Sequence, residues 1–228
     1  MEGGSMDERL TYAIGDIHGR LELLMDLLSQ IITHANGRSC KLVFLGDYID
    51  RGPDSAGVLA LVRRFQQQWP ESVICLKGNH EAMLLEVVTE PAVTSWWLGN
   101  GGDTTLASFG VSHPGDLPAD VLSWIAGLPT LYEDEHRYFV HAGLHPDLSL
   151  SEQDDQTKLW IRGEFLLVDY NFGKHVVHGH TPSETGCPEV RPYRTNLDTG
   201  AVFSGPLTAG VFTDERGPAV AFLRSPDG

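Results

Sequence analysis

The chain has 228 residues, about one large domain, and its 41% hydrophobic content is enough for a sizeable core, which excludes disordered and fibrous classes. Sixteen basic against 31 acidic residues leave a formal charge of −15, so the average surface repels phosphate backbones and anionic membranes and disfavours charge-driven binding to either. Cys40, Cys75 and Cys187 are odd in number, far apart and without a CxxC pair, which argues against a disulfide framework or a thiolate zinc site and for a reducing cytoplasm.

Met1 to Arg9 lack the basic-then-apolar order of a signal peptide, and no apolar run approaches the ~20 residues of a membrane span. Residues 1–6 are expected to form a flexible leader and 7–228 a single domain. Thr11 to Gly15 reads as a buried strand, and Leu21, Leu24, Met25, Leu28, Ile31 and Ile32 then fall at helical spacing on one face. Lys41 to Leu45 is a second strand, followed by a helix opening at Pro53-Asp54-Ser55 and carrying Val58, Leu61, Val62 and Phe65. Ser72 to Leu76 and a helix over Glu81 to Val88 repeat the unit. Three tandem β-α units predict parallel strands in an α/β fold. Residues 91–129 read as a helical insertion over one end of the sheet, with short helices near Thr104 to Phe109 and Asp120 to Ala126. Strands are then expected at 138–140, 175–178, 195–197, 207–212 and 219–223, in an antiparallel or mixed half.

The reactive residues follow the strands. Gly15-Asp16-Ile17-His18-Gly19, Gly46-Asp47-Tyr48-Ile49-Asp50-Arg51-Gly52 and Gly78-Asn79-His80-Glu81 each lie past one of the first three. Asp16 and Asp47 are 31 residues apart, and Asp47 and Asn79 are 32, the length of a βαβ unit, so all three should meet at one sheet edge. His141-Ala142-Gly143 and His178-Gly179-His180 follow two later strands. Mixed carboxylate and imidazole suits a borderline divalent cation. Asp16, His18, Asp47, Asn79, His141 and His180 offer more donors than one ion needs, which suggests two ions sharing Asp47, ~3.5–4 Å apart and able to hold a bridging hydroxide for in-line attack at phosphorus. Each motif alone can be an ordinary turn or helix cap. Five in order at successive strand ends are a poor coincidence.

GDxHG, GDxxDRG and GNHE, complete and in order, resemble the signature of the PPP family of phosphoprotein phosphatases. The resemblance covers roughly residues 11–224 and is nearest the compact bacterial and phage lambda phosphatase-like branch, where Asn100-Gly101-Gly102 after Trp96-Trp97 and the 197–202 run also find likenesses. It implies a calcineurin-like metallophosphoesterase sandwich, two mixed β-sheets flanked by helices. It further implies one cation held by Asp16, His18 and Asp47 and a second by Asp47, Asn79, His141 and His180, with manganese expected and iron or zinc as alternatives. His80 would protonate the leaving oxygen, supported by Asp50, and Arg51 with a later arginine would bind phosphate. Arg162 is chosen for the latter over Arg191 and Arg194.

With these assignments the site should be a positive island on an acidic protein, and the Asp50 carboxylate should keep the His80 imidazole protonated longer than a free one. His178 is expected to support the ligands or sit in the core, Asp198 to cap a turn after its strand rather than support a ligand, and Trp96 and Trp97 to pack. The implied function is a cytoplasmic, metal-dependent serine/threonine protein phosphatase, monomeric, acting on a phosphorylated protein or peptide and binding neither nucleic acid nor membrane. The alternative is a symmetrical dinucleoside-tetraphosphate hydrolase. The short chain and Glu81 favour the former.

Overall fold

A computed structural model describes residues 9–227, so the leader expected over residues 1–6 lies outside the described residues. The strands are β1 (Leu10–Ile14), β2 (Cys40–Phe44), β3 (Val73–Cys75), β4 (Leu131–Glu133), β5 (Arg137–Val140), β6 (His175–His178), β7 (Glu189–Val190), β8 (Arg194–Asn196), β9 (Thr208–Phe212) and β10 (Ala221–Arg224). The helices are α1 (Leu21–Ala35), α2 (Ser55–Gln68), α3 (Asn79–Thr89), α4 (Thr94–Trp97), α5 (Asp103–Phe109), α6 (Ala119–Ala126), α7 (Asp155–Trp160) and α8 (Gly163–Leu166). They build two five-stranded mixed sheets, ordered β10-β9-β1-β2-β3 and β4-β5-β6-β8-β7.

The three tandem units give the parallel run β1-β2-β3, as their spacing predicts, and β9 joins it antiparallel to β1. The second sheet is mixed: β5, β6 and β8 are parallel, with β4 and β7 antiparallel at its edges. The two edge strands escape the sequence reading because Leu131–Glu133 and Glu189–Val190 are only three and two residues long, too short for an alternating pattern.

Alternation along β1 shows how the layers form. Tyr12 and Ile14 face the helices and join the core that α1 and α2 cover, while Ala13 points to the other sheet and packs with Val43, Leu45, Phe139, Val177, Leu197 and Phe212.

Helix α1 corrects one expectation. Its buried stripe is Leu23, Leu24, Leu27, Leu28 and Ile31, whereas Met25 is 58% and Ile32 70% exposed. Leu24, Leu28 and Ile31 fit either stripe; the sheet takes the side bearing Leu23 and Leu27, so the helix is rotated from the face expected. Helix α2 starts as predicted, with Asp54 accepting the Gly57 N–H at 2.8 Å. Helix α3 begins two residues earlier than expected, so Asn79 and His80 stand in its first turn. No helix among the described residues is long and apolar enough to cross a membrane.

Candidate active site

Because β1, β2 and β3 run parallel in one sheet and β5, β6 and β8 in the other, the carboxyl ends of each set share an edge, and the loops after them carry the motif residues together. The backbone is strained there. His18, Asp47, Asp50, Arg51 and His180 all have positive φ, between 46° and 71°, a region L-residues rarely occupy. Only Asn36 and Ser204 share it among the other described non-glycine residues, so the strain concentrates on candidate site residues.

Asp47 lies at the centre. Its Oδ2 is 3.4 Å from His18 Nε2 and its Oδ1 is 3.5 Å from His141 Nε2. Two clusters share this carboxylate, His18 with Asp47 and His80, and Asp47 with His141 and His180, the ligand atoms of each lying within 4.8 Å of one another. Asn79 Oδ1 completes the second cluster, 2.8 Å from His141 Nε2 and 2.9 Å from His180 Nδ1. Asp16 lies beside the clusters rather than within one, both its oxygens accepting the His180 N–H at 3.1 Å. A Cβ at Gly179 would overlap Asp16 Oδ1, and one at Gly78 would overlap Asp47 Oδ1, so only glycine allows these approaches.

The donor chemistry fits divalent cations. His141 Nδ1 donates to the Leu45 carbonyl at 3.0 Å and His18 Nδ1 to the Ile49 carbonyl at 2.8 Å; a carbonyl can only accept, so each Nε2 is left as a lone pair unless the ring is charged. Burial holds His141 down to about 3 and His18 well below its ordinary value, so neither ring carries the extra proton. His141 Nε2 then faces the oxygens of Asn79 and Asp47 acceptor to acceptor, an arrangement that a cation relieves. His180 Nε2 is buried without a partner. Burial, then the neighbouring Asp198 and Asp47 charges, pushes Asp16 well above the usual carboxylate range, and burial with Glu81 does the same to Asp47. The whole cluster is short of positive charge.

Arg51, Arg162, His80 and His180 line one cavity of about 250 Å³ with Asp47, Asn79, Pro182 and Phe203. Arg51 also donates to His18 Nε2 at 2.9 Å, the nitrogen left free by the bond from Nδ1 to the Ile49 carbonyl, so the guanidinium and an ion would compete for it. Arg194 and Arg191 are elsewhere: Arg194 is buried on β8, bonded to the Leu166 carbonyl at 2.8 Å and to Glu189, and Arg191 is held by Glu189 at 2.6 Å.

His80 Nδ1 faces Asp50 Oδ2 at 2.7 Å, the pairing the resemblance implies. The expected rise in basicity does not follow from the protein groups alone. Burial, then the Arg51 charge, holds His80 down to about 3, while burial pushes Asp50 up to about 7. An anion in the cavity would favour the charged imidazole. The positive island is expected with two cations in place; in the protein itself five buried carboxyl groups, Asp16, Asp47, Asp50, Glu81 and Asp198, stand beside the two arginines. Bound cations would have to supply that character.

Three residues beyond the sequence assignments matter here. Fully buried Glu81 accepts the Asp47, Tyr48 and Gly78 N–H groups at 2.8 to 2.9 Å, tying the second motif to the third, and it does not line the cavity. Trp97 and Thr105 both bond the Asp50 carboxylate. His178 is buried against Phe165, its Nε2 unpartnered, and belongs to neither donor cluster. Asp198 caps its own turn, accepting the Gly200 N–H at 3.0 Å.

The profile of the calcineurin-like phosphoesterase family matches residues 10–205. The chain is 34% identical over 212 residues to the serine/threonine-protein phosphatase 1 of Salmonella typhimurium, covering 88% of this chain and 90% of that one. It is 30% identical over 237 residues to the asymmetrical bis(5'-nucleosyl)-tetraphosphatase PrpE of Oceanobacillus iheyensis, covering 91% and 90%. A crystal structure of a provisionally assigned diadenosine tetraphosphatase superposes with a TM-score of 0.72 at 24% identity, covering 96% of this chain and 95% of that one.

Proposed function

The chain belongs to the calcineurin-like phosphoesterase family, and from that premise we propose that it is a protein phosphatase that hydrolyses phosphoserine and phosphothreonine monoesters. The observation that carries the reading is a cavity of about 250 Å³ in which Arg51, Arg162 and His80, itself paired with Asp50, stand against donor clusters that share Asp47.

Asp16, His18 and Asp47 would hold one divalent cation, manganese first among the candidates, and Asp47, Asn79, His141 and His180 the other. Such a pair supplies Lewis-acid charge to a phosphoryl group and lowers the pKa of water toward neutrality. The chain's own residues do the rest. Arg51 and Arg162 take the phosphoryl oxygens through their guanidinium forks. His80, its Nδ1–H fixed on Asp50, exchanges a proton with the leaving oxygen through Nε2, and the phosphate dianion beside it supplies the negative charge that favours the imidazolium.

The cavity has room for a phosphoryl group and the short side chain that carries it. The two nucleosides of a dinucleoside tetraphosphate would have to lie outside it, and the 64% exposed ring of Phe203 at the mouth is a surface on which a base could stack. That ring, together with the tetraphosphatase relative, favours dinucleoside-tetraphosphate hydrolysis as the second reading, whether cleavage is symmetrical or asymmetrical. Chain length does not separate the two, since both relatives are covered to 90%. Neither does Glu81, whose carboxylate is spent on backbone N–H groups.

Turnover on a phosphoserine peptide, a phosphotyrosine peptide and diadenosine tetraphosphate, with Mn²⁺ and after chelation, tests the assignment. The expected order is phosphoserine first, with dependence on the cation throughout; hydrolysis of the dinucleotide alone would replace the first reading by the second. Arg162→Ala is expected to raise KM about 10- to 100-fold, the size of a lost charge-assisted hydrogen bond, and to weaken inhibition by inorganic phosphate equally. Arg194→Ala should leave both constants unchanged. Steady-state kinetics of the pair checks this choice of arginine.

A further inference from the structure

The helical insertion between β3 and β4 reaches the acid–base pair from behind. Trp97, fully buried at the end of α4, donates its indole N–H to Asp50 Oδ2 at 2.8 Å, the same oxygen that faces His80 Nδ1 at 2.7 Å. Thr105, fully buried in α5, donates its hydroxyl to Asp50 Oδ1 at 2.7 Å and accepts the Asp50 backbone N–H at 2.9 Å. Both carboxylate oxygens are thus held by side chains of one short segment.

The backbone of that segment fits the same purpose. Asn100-Gly101-Gly102 forms a wide turn between the two helices, and the Gly101 carbonyl accepts the Arg51 N–H at 3.0 Å. Gly101 has φ +98°, and a Cβ there would come 2.7 Å from the Arg51 nitrogen; one at Gly102 would overlap the Trp97 ring. Asp50 and Arg51 themselves sit at φ 71° and 69°, a strained pair that needs outside contacts to hold its shape.

The geometry points to Trp97 and Thr105 as positioning residues that aim the Asp50 carboxylate at His80 and so set the efficiency of proton transfer to the leaving group. The inference rests on the reading of His80 as the proton donor. Neither residue lines the cavity, so neither acts on substrate directly. A carboxylate free to turn would lose its line to Nδ1, and the imidazole would lose both its orientation and the partner of its charged form.

Leaving groups separate this role from a merely structural one. p-Nitrophenolate departs with little protonic help, whereas phenolate needs more, so a proton-transfer defect falls mainly on phenyl phosphate. Trp97→Phe, which keeps a ring and deletes the N–H, is expected to lower kcat on phenyl phosphate about tenfold and on p-nitrophenyl phosphate less than about twofold, with KM and Mn²⁺ content unchanged. Thr105→Val should do the same and Thr105→Ser should restore activity, which keeps the test open if the tryptophan variant does not fold. An equal fall on both substrates, or a change confined to KM, would overturn the inference. His80→Asn is the control: if it too spares neither substrate selectively, the proton-donor reading fails and this inference with it, whereas selectivity in His80→Asn but not in Trp97→Phe or Thr105→Val sinks the positioning role alone.

Discussion

Asp47→Asn is expected to abolish activity, by on the order of 10⁴-fold or more, and to reduce bound metal from two ions per chain to one or none. Among the described residues this carboxylate is the one whose two oxygens face different donor clusters, at 3.4 and 3.5 Å. An amide has the same shape but one acceptor oxygen and no charge, so it can serve at most one cluster. Its oxygen can still take the His80 N–H that Asp47 Oδ1 accepts at 3.0 Å, and the turn should persist. The stability outcome has the opposite sign. Asp47 is a buried carboxylate crowded by Glu81, its pKa raised well above normal, so ionising it opposes folding of the ion-free chain. In chelator the variant should melt at least as high as the wild type, while the rise in Tm on adding Mn²⁺ should shrink sharply. Metal analysis, turnover and thermal melts of the two proteins check all three expectations.

His80→Asn is expected to lower turnover by about 10²- to 10⁴-fold, the usual value of a positioned general acid, with both ions retained. Asparagine keeps polarity at the helix start and cannot shuttle a proton. The geometry gives this substitution a second meaning, because His80 falls within the same 4.8 Å cluster as His18 and Asp47. Loss of one ion would make His80 a ligand and leave the leaving group without an assigned acid. Retention of both ions with a slowed reaction fits its bond to Asp50 instead. Metal content measured alongside single-turnover rates decides between these outcomes.

The residues that the strand ends project were legible from sequence, because a strand, a glycine turn and a reactive side chain recur at fixed spacing. Asp16, Asp47, Asn79, His141 and His180 meet at one place for that reason. What supports them was not legible. Trp97 and Thr105 reach Asp50 across 47 and 55 residues, and no local pattern marks an indole N–H that will find a buried carboxylate rather than pack. Glu81 belongs to a visible motif, yet its work on the backbone of Asp47 and Tyr48 is a tertiary contact. The rotated face of α1 has a similar cause: periodicity fixes that a helix has an apolar stripe, and the sheet chooses among adjacent stripes.

The charge balance was also beyond the motifs. The expected surplus sets two cations and two arginines against only the two ligand carboxylates and a hydroxide, but Asp50, Glu81 and Asp198 are buried beside them, so the positive character rests on the cations alone. The central claim is therefore that one shared carboxylate organises a pair of ions. Titration calorimetry of the chelated protein with Mn²⁺, followed by elemental analysis after desalting, measures it most directly. Two ions per chain, with activity regained only as the second binds, is the predicted result. A single ion at saturation, or full activity in the chelated protein, would contradict the account.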